Sequence, residues 1–282
     1  MMAQDSMGLI RVLPGKKGAC FTMGREENHQ KMRTLNPFWY YSWSPTTPPL
    51  HGNVSGTIEE RTDQQPTSTT IEFLPMFWGY YPKVFHKRIR EVLANKPRII
   101  LGFNEPDKVA QSNVSVQSAL VAWPILEDAI KDAGMSDTIL LVSPSCANPL
   151  GPWMQTFMDE VNKKQLRVDI IGVHHYGGVN ATAFQKRMRT IYESYGGRPL
   201  LITELGVADW QATTVQENRF SPDNVLKFME IILPWMAAQD WIVGYAWFPF
   251  DISNPKGTSS ALFDRNNHFT PLGKYYGSFL SH

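Results

Sequence analysis

PKVFHKRIREVLANKPRIILGFNEPD, residues 82–107, decides how the chain is built. Residues 82–95 read as an amphipathic helix opened by a proline, whose missing N–H is no loss in a first turn. Residues 98–103 follow as a short apolar strand. That strand gives out into Asn104-Glu105-Pro106-Asp107, which sets a carboxylate at its carboxyl tip.

Working outward, the same alternation of short β-rich runs and longer amphipathic stretches recurs, as in βα units of a parallel sheet. Seven further strands read at residues 18–23, 38–43, 71–77, 138–143, 168–174, 199–203 and 242–247, making eight. Residues 222–239 form the clearest helix. Ser221 caps it, Pro222 suits its first turn, and Val225, Met229, Ile232 and Met236 share one face. Residues 116–133 read likewise, with a kink expected at Pro124. Eight strands alternating with helices predict an α/β fold, a (β/α)8 TIM barrel, which commonly fills about 250 residues as one domain. The expected division is an N-terminal extension at residues 1–17 and a single catalytic barrel at residues 18–282. Residues 44–70, rich in Pro, Thr, Ser and Gln, break the rhythm. They read as a long loop after the second strand, on the face where barrels build their sites, although a surface insertion fits the same composition.

Composition narrows the partners. The 282 residues carry 27 Lys and Arg against 26 Asp and Glu, so no broad field exists to hold nucleic acid or an anionic membrane. No apolar run approaches the roughly 18 residues of a membrane span, and residues 1–17 lack the apolar core of a signal peptide. Cys20 and Cys146 are too few for a disulfide framework and stand in no metal-ligand spacing, which reads as two buried thiols. Many of the nine Trp and ten Tyr fall near strand ends, where flat rings suit sugar faces.

A second carboxylate matches the first. Leu201-Ile202-Thr203-Glu204-Leu205-Gly206 ends the seventh strand as Glu105 ends the fourth, 99 positions earlier. In a closed eight-stranded barrel these strands are three apart, so the tips can converge over the mouth. Two carboxyls flanking one glycosidic bond supply the proton and the electron density that its cleavage needs. A gap of about 5 Å makes the second a nucleophile and retains configuration, whereas about 6.5 to 9.5 Å admits water and inverts it. Glu105 is the expected general acid/base and Glu204 the expected nucleophile, with no metal or organic cofactor. His174 and His175 do not read as a metal pair, because neighbours on a strand face opposite ways; His174 is the better candidate to face the cleft. Trp43, Trp78, Trp153 and Trp210 stand near carboxyl-side loops where a ring can stack on a pyranose. Trp123, Trp235 and Trp241 read as packed against the barrel.

With Tyr41 and Trp43 on the second strand, residues 72–79 on the third, residues 102–107, Ser143-Pro144, His174 with Tyr176, Thr203-Glu204 and Tyr245-Ala246-Trp247-Phe248, the chain resembles glycoside hydrolase family 128. It departs at Ser42, where that family has Asn, and at His175, where Trp is usual. The resemblance implies a retaining, endo-acting β-1,3-glucanase. Asn104 would bind the 2-hydroxyl of the cleaved sugar, Trp247 would form a platform beneath it, and Tyr176 would hydrogen-bond the nucleophile. Tyr41, Trp43, Trp78 and His174 complete the expected substrate-binding set. The expected partner is a β-1,3-glucan met by a monomer, and a polymeric substrate implies a secreted or periplasmic enzyme. Two other readings fit the same residues: a related barrel hydrolase acting on another β-glucan or mannan, and a non-catalytic glucan-binding protein on the same fold.

Overall fold

The computed structural model describes residues 13–46 and 71–280. Residues 1–12 and most of the 44–70 segment, read above as an extension and a loop, lie outside the described residues.

All eight expected strands are present, though most are shorter than the apolar runs that announce them. In chain order they are β1 (Lys17–Cys20), β2 (Trp39–Tyr41), β3 (Glu72–Phe73), β4 (Ile99–Leu101), β5 (Leu140–Val142), β6 (Ile171–Gly177), β7 (Leu200–Val207) and β8 (Ile242–Trp247). The helices are α1 (Glu26–Leu35), α2 (Pro82–Ala94), α3 (Val116–Asp132), α4 (Pro152–Lys163), α5 (Ala181–Ser194), α6 (Pro222–Ala237) and α7 (Pro271–Ser278). The expected cap of α6 forms, with the Asn224 N–H donating to Ser221 Oγ. Helix α3 continues through Pro124.

Six strands pair in parallel in the order β3-β2-β1-β8-β7-β6, and β4 pairs with β5. Two bridges, Met76 with Leu101 and Val142 with Ile170, join these groups at both ends, so the strand neighbours run full circle. This is the eight-stranded barrel. Period-two alternation sorts its side chains. Cys20, Trp39, Tyr41, Ile99, Leu101, Val142 and Leu201 fill the interior, while Ala19, Tyr40, Ile100, Leu141, Leu200 and Ile202 pack outward against the helices. Trp39 plugs the amino-terminal end. Its ring fits because Gly18 and Gly244 flank it: a Cβ on Gly18 would stand 2.3 Å from the indole, and one on Gly244 3.1 Å from Nε1.

The seam between first and last strands is held by lysines. Lys17, fully buried, donates to the carbonyls of Tyr276 (3.2 Å) and Gly277 (2.7 Å) near the end of α7. Lys16 donates to Ala237 O and Gln239 O, both at 2.8 Å, at the end of α6. Each cation meets the carbonyls that a helix C-terminus leaves unpaired, at the negative end of its dipole. The Tyr276 hydroxyl enters the seam itself, donating to Gly18 O (2.8 Å) and accepting from the Trp247 N–H (3.1 Å). Both cysteines are free and buried. No helix among the described residues is long and apolar enough to cross a membrane.

Strand β6 shows what alternation does to adjacent histidines. His174 turns inward and is buried, while His175 turns outward against the Phe184 ring of α5 at 5.1 Å. Burial, helped by the charge of Arg187, pulls His175 down to about 4 from its ordinary 6.5. Below pH 6.5 the unfolded chain therefore takes up a proton that the folded chain refuses. Stability is full above pH 6.5 and is lost as pH falls towards 4. Thermal melts of wild type and His175→Gln at pH 7.5 and 4.5 test this, and the wild type is expected to lose more melting temperature on acidification than the variant.

Candidate active site

Strict alternation along β7 would send Glu204 outward, since Leu201 faces in and Ile202 out. The strand does not keep strict alternation. Its register slips against β6 at Val173/His174 and against β8 between Ile202 and Leu205. Thr203 meets Ser145 inside the barrel (Oγ1 to Oγ, 3.3 Å), Glu204 also faces inward, and Leu205 returns to the outer layer. A bulge of this kind bends the strand locally and re-aims a side chain.

Glu204 is thereby delivered into a ring of donors. Its Oε1 accepts from Trp43 Nε1 (2.9 Å) and the Tyr41 hydroxyl (3.2 Å), and its Oε2 from the Tyr176 hydroxyl at 2.5 Å. Burial, reinforced by the Glu204 charge, pushes both tyrosines well above the usual phenol range, so both keep the protons they donate. Cys20 below is likewise held as a neutral thiol by burial and then by Glu204.

Glu105 arrives from β4 by a different device. Its backbone sits at φ 40, a left-handed conformation that is strained for a residue with a Cβ. The turn is clamped on both sides. The Glu105 N–H donates to Ser145 O (2.8 Å), while Asp107 accepts from the Ala147 N–H (2.9 Å) and the Asn148 N–H (3.0 Å). His174 joins the two acids, its Nδ1 lying 3.0 Å from Glu105 Oε1 and 3.5 Å from Glu204 Oε2. Burial, the largest influence on this imidazole, opposes its charge, but Glu204, the bond to Glu105 and the charges of Glu105 and Asp107 outweigh it and raise its pKa. One ligand atom from each of Glu105, His174 and Glu204 lies within 4.8 Å of the others. These atoms could also surround a cation, but a cation there would compete with Tyr41, Trp43 and Tyr176 for the lone pairs of Glu204.

The other expected residues divide. Tyr41, Trp43, His174 and Tyr176 converge on the carboxylates as described. Asn104 stands beside Glu105, buried, donating to Gln111 Oε1 (3.3 Å), with its Oδ1 unpartnered among the described residues. Half-buried Trp78 touches the site through its carbonyl, which accepts the Asn104 N–H at 2.9 Å. Trp247 is the correction. It is 1% exposed and packs in the outer layer, with its indole N–H on Ser260 O (3.0 Å). Ala246 faces in, so the next residue must face out, and Phe248 takes the position over the mouth, 6.1 Å from Trp43 and 5.5 Å from Tyr176. Trp153 is also outside the cleft, stacked on Phe157 of α4. Sequence reading leaves Phe248 undecided between core and cleft, although that parity decides it, and it passes over the Asp107 clamp, whose partners are 40 and 41 residues away. Ser42, the departure from the expected Asn, is buried with its hydroxyl unpartnered among the described residues. Beyond Trp43 and Phe248 a recess of about 640 Å³ opens at the ends of β1 and β8, bordered by Phe250, Arg25, Lys31 and Arg265.

A family profile described as "Glycosyl hydrolase catalytic core" matches residues 18–276. No curated protein sequence matches the chain. Among solved structures, it is similar to a family 128 (subgroup I) endo-β-1,3-glucanase from Amycolatopsis mediterranei in complex with laminaritriose. Identity is 24% over 94% of this chain and 99% of that one, with a TM-score of 0.71. A subgroup II endo-β-1,3-glucanase from Sorangium cellulosum aligns at 24% identity, covering 93% and 98%, TM-score 0.67. A subgroup V exo-β-1,3-glucanase from Cryptococcus neoformans aligns at 22%, covering 93% and 98%, TM-score 0.67. At these identities the likeness shows a common fold.

The strained backbone at Glu105 has a measurable consequence. Glu105→Gly and Glu105→Ala both lose the bond to His174, but only glycine is at ease at φ 40. Chemical denaturation is expected to find the glycine variant more stable than the alanine variant by about 1 kcal/mol.

Proposed function

Because the chain belongs to the family of glycosyl hydrolase catalytic cores, we propose that it hydrolyses β-1,3-glucan through Glu105 and Glu204, retaining configuration and cutting within the chain. The observation that carries this reading is the separation of the two acids, with one oxygen of each within 4.8 Å of the other. That spacing favours direct attack over the wider gap of about 6.5 to 9.5 Å in which an inverting enzyme seats its water.

The surroundings divide the labour. Glu204 accepts three hydrogen bonds, which hold it in place and aim it at an anomeric carbon. Glu105 is met by the single donor His174 among the described residues, on Oε1, which leaves Oε2 to carry a proton towards the leaving oxygen. In the first step a Glu204 oxygen bonds the anomeric carbon, the glycosidic C–O bond breaks, and the departing oxygen takes the proton of Glu105. In the second, water gives its proton back to Glu105 and its oxygen to the anomeric carbon, releasing Glu204. The unpartnered Asn104 Oδ1 is an acceptor for a sugar hydroxyl beside the reacting centre. The choice of β-1,3-glucan follows the solved relatives, one of which holds laminaritriose. Internal cutting follows the relatives from Amycolatopsis mediterranei and Sorangium cellulosum, which are described as endo-acting.

Laminarin digestion followed by proton NMR and chromatography tests the proposal, with the β-anomer expected first and products of several lengths from the earliest times. Glu105→Gln and Glu204→Gln are each expected to lose at least about 10³-fold in rate. Full activity in both would remove the mechanism, and azide or formate should restore turnover to Glu204→Ala. Tyr176→Phe, which deletes the 2.5 Å bond to Glu204, is expected to lower kcat about 10²-fold with KM nearly unchanged.

A further inference from the structure

Five aromatic rings run along one wall of the mouth, and Glu204 is bonded to three of them. Tyr41 lies 5.1 Å from Trp43, Trp43 6.1 Å from Phe248, Phe248 5.5 Å from Tyr176, and Tyr176 5.7 Å from Trp210. The first four are buried or half-buried. Trp210, the last, is 56% exposed, the one tryptophan among the exposed large apolar side chains of the described residues.

Single exposed apolar residues are ordinary and carry no meaning alone. Trp210 differs in how firmly its backbone is held while its ring is left open. Its neighbour Asp209, 3% exposed, accepts the Gln211 N–H (3.3 Å) and the Arg219 N–H (3.0 Å). The Asp209 N–H donates to Lys256 O at 2.8 Å, and its carbonyl accepts the Ala212 N–H at 3.1 Å. The indole is braced edge-on by Tyr176, and the Lys256 ammonium lies 5.7 Å from its centroid. A ring fixed in advance, with the Lys256 ammonium over it and more than half of its surface open, loses little freedom on binding. It offers a flat, CH-attracting face beside three hydrogen-bond donors on one ammonium.

We propose that Trp210 and Lys256 form an outer sugar-binding position of the cleft, which stacks a glucosyl unit on the indole and holds its hydroxyls from the ammonium. Tyr176 stands between Trp210 and Glu204, so the unit bound there is a neighbour of the attacked sugar and not the attacked sugar itself. The position therefore governs which chain lengths are held well. It rests on the β-glucan reading above, and it names which residues grip the remote part of the chain.

The test compares wild type, Trp210→Ala, Trp210→Phe and Lys256→Gln on laminari-oligosaccharides of increasing length, with melting temperatures recorded for each. For laminarihexaose, Trp210→Ala is expected to raise KM about three- to tenfold while kcat holds, and Trp210→Phe to restore most of the loss. The shortest cleavable oligosaccharide should show no such difference. A binding readout stands beside the kinetics. In Glu204→Gln, laminarihexaose should shield the accessible tryptophan from acrylamide quenching, and this protection should vanish when Trp210→Phe is added. A wild type that cleaves the series while Trp210→Ala and Lys256→Gln keep its KM at every length overturns the outer position alone. A wild type that neither binds nor cleaves any of them overturns the glucan reading, and this position with it.

Discussion

Two carboxylates within 4.8 Å of each other, one of them almost fully buried, repel unless something compensates. The compensation here is distributed. Three aromatic donors face Glu204, one imidazole faces both acids, and a strained turn holds Glu105. These groups come from β2, β4, β6 and β7 and the loops that follow them, so a closed ring of strands is the condition for bringing them together. The site is in this sense a property of the whole barrel and of no single motif.

The unequal treatment of the acids gives the arrangement its chemical direction. Glu204 accepts three hydrogen bonds that fix it in place, while Glu105 shares one imidazole on one oxygen. The imidazole is drawn towards its charged form by the same carboxylates that it bridges, against the opposing effect of burial. It can therefore follow a change of charge on either acid. In the two-step route proposed above, consuming the Glu204 anion would lower the field at His174 and Glu105, and its half-reactions would make opposite demands on Glu105.

Much of this was legible in the chain. Apolar runs broken by helical stretches announce eight strands, and a glutamate at the tip of the fourth and seventh announces a site. Side-chain parity carried further than it was pressed. Ala246 faces inward, which implies that Trp247 faces out, yet family resemblance drew Trp247 towards the cleft. Parity also misleads at Glu204, which it would send outward, because the slip that turns both Thr203 and Glu204 inward depends on pairing with β6 and β8 and leaves no mark in the order of residues. The φ of 40 at Glu105 was equally invisible. Its enabling contacts, from Asp107 to the Ala147 and Asn148 amides, join segments that only tertiary structure brings near.

The lysine-bound seam bears on how such a chain matures. Strand β1 finds one neighbour, β2, within about 20 residues, but its other neighbour is β8, and among the described residues its buried Lys17 donates to carbonyls 259 and 260 positions away. Until α7 has left the ribosome, those two bonds and the pairing of β1 with β8 lack their native partners. The loop entropy of joining the two extremes falls due late, and long-range pairing of this kind slows folding. The same residues make the finished ring cooperative, since peeling α7 away would break both Lys17 bonds and the Tyr276 bond to Gly18 at the seam in one event.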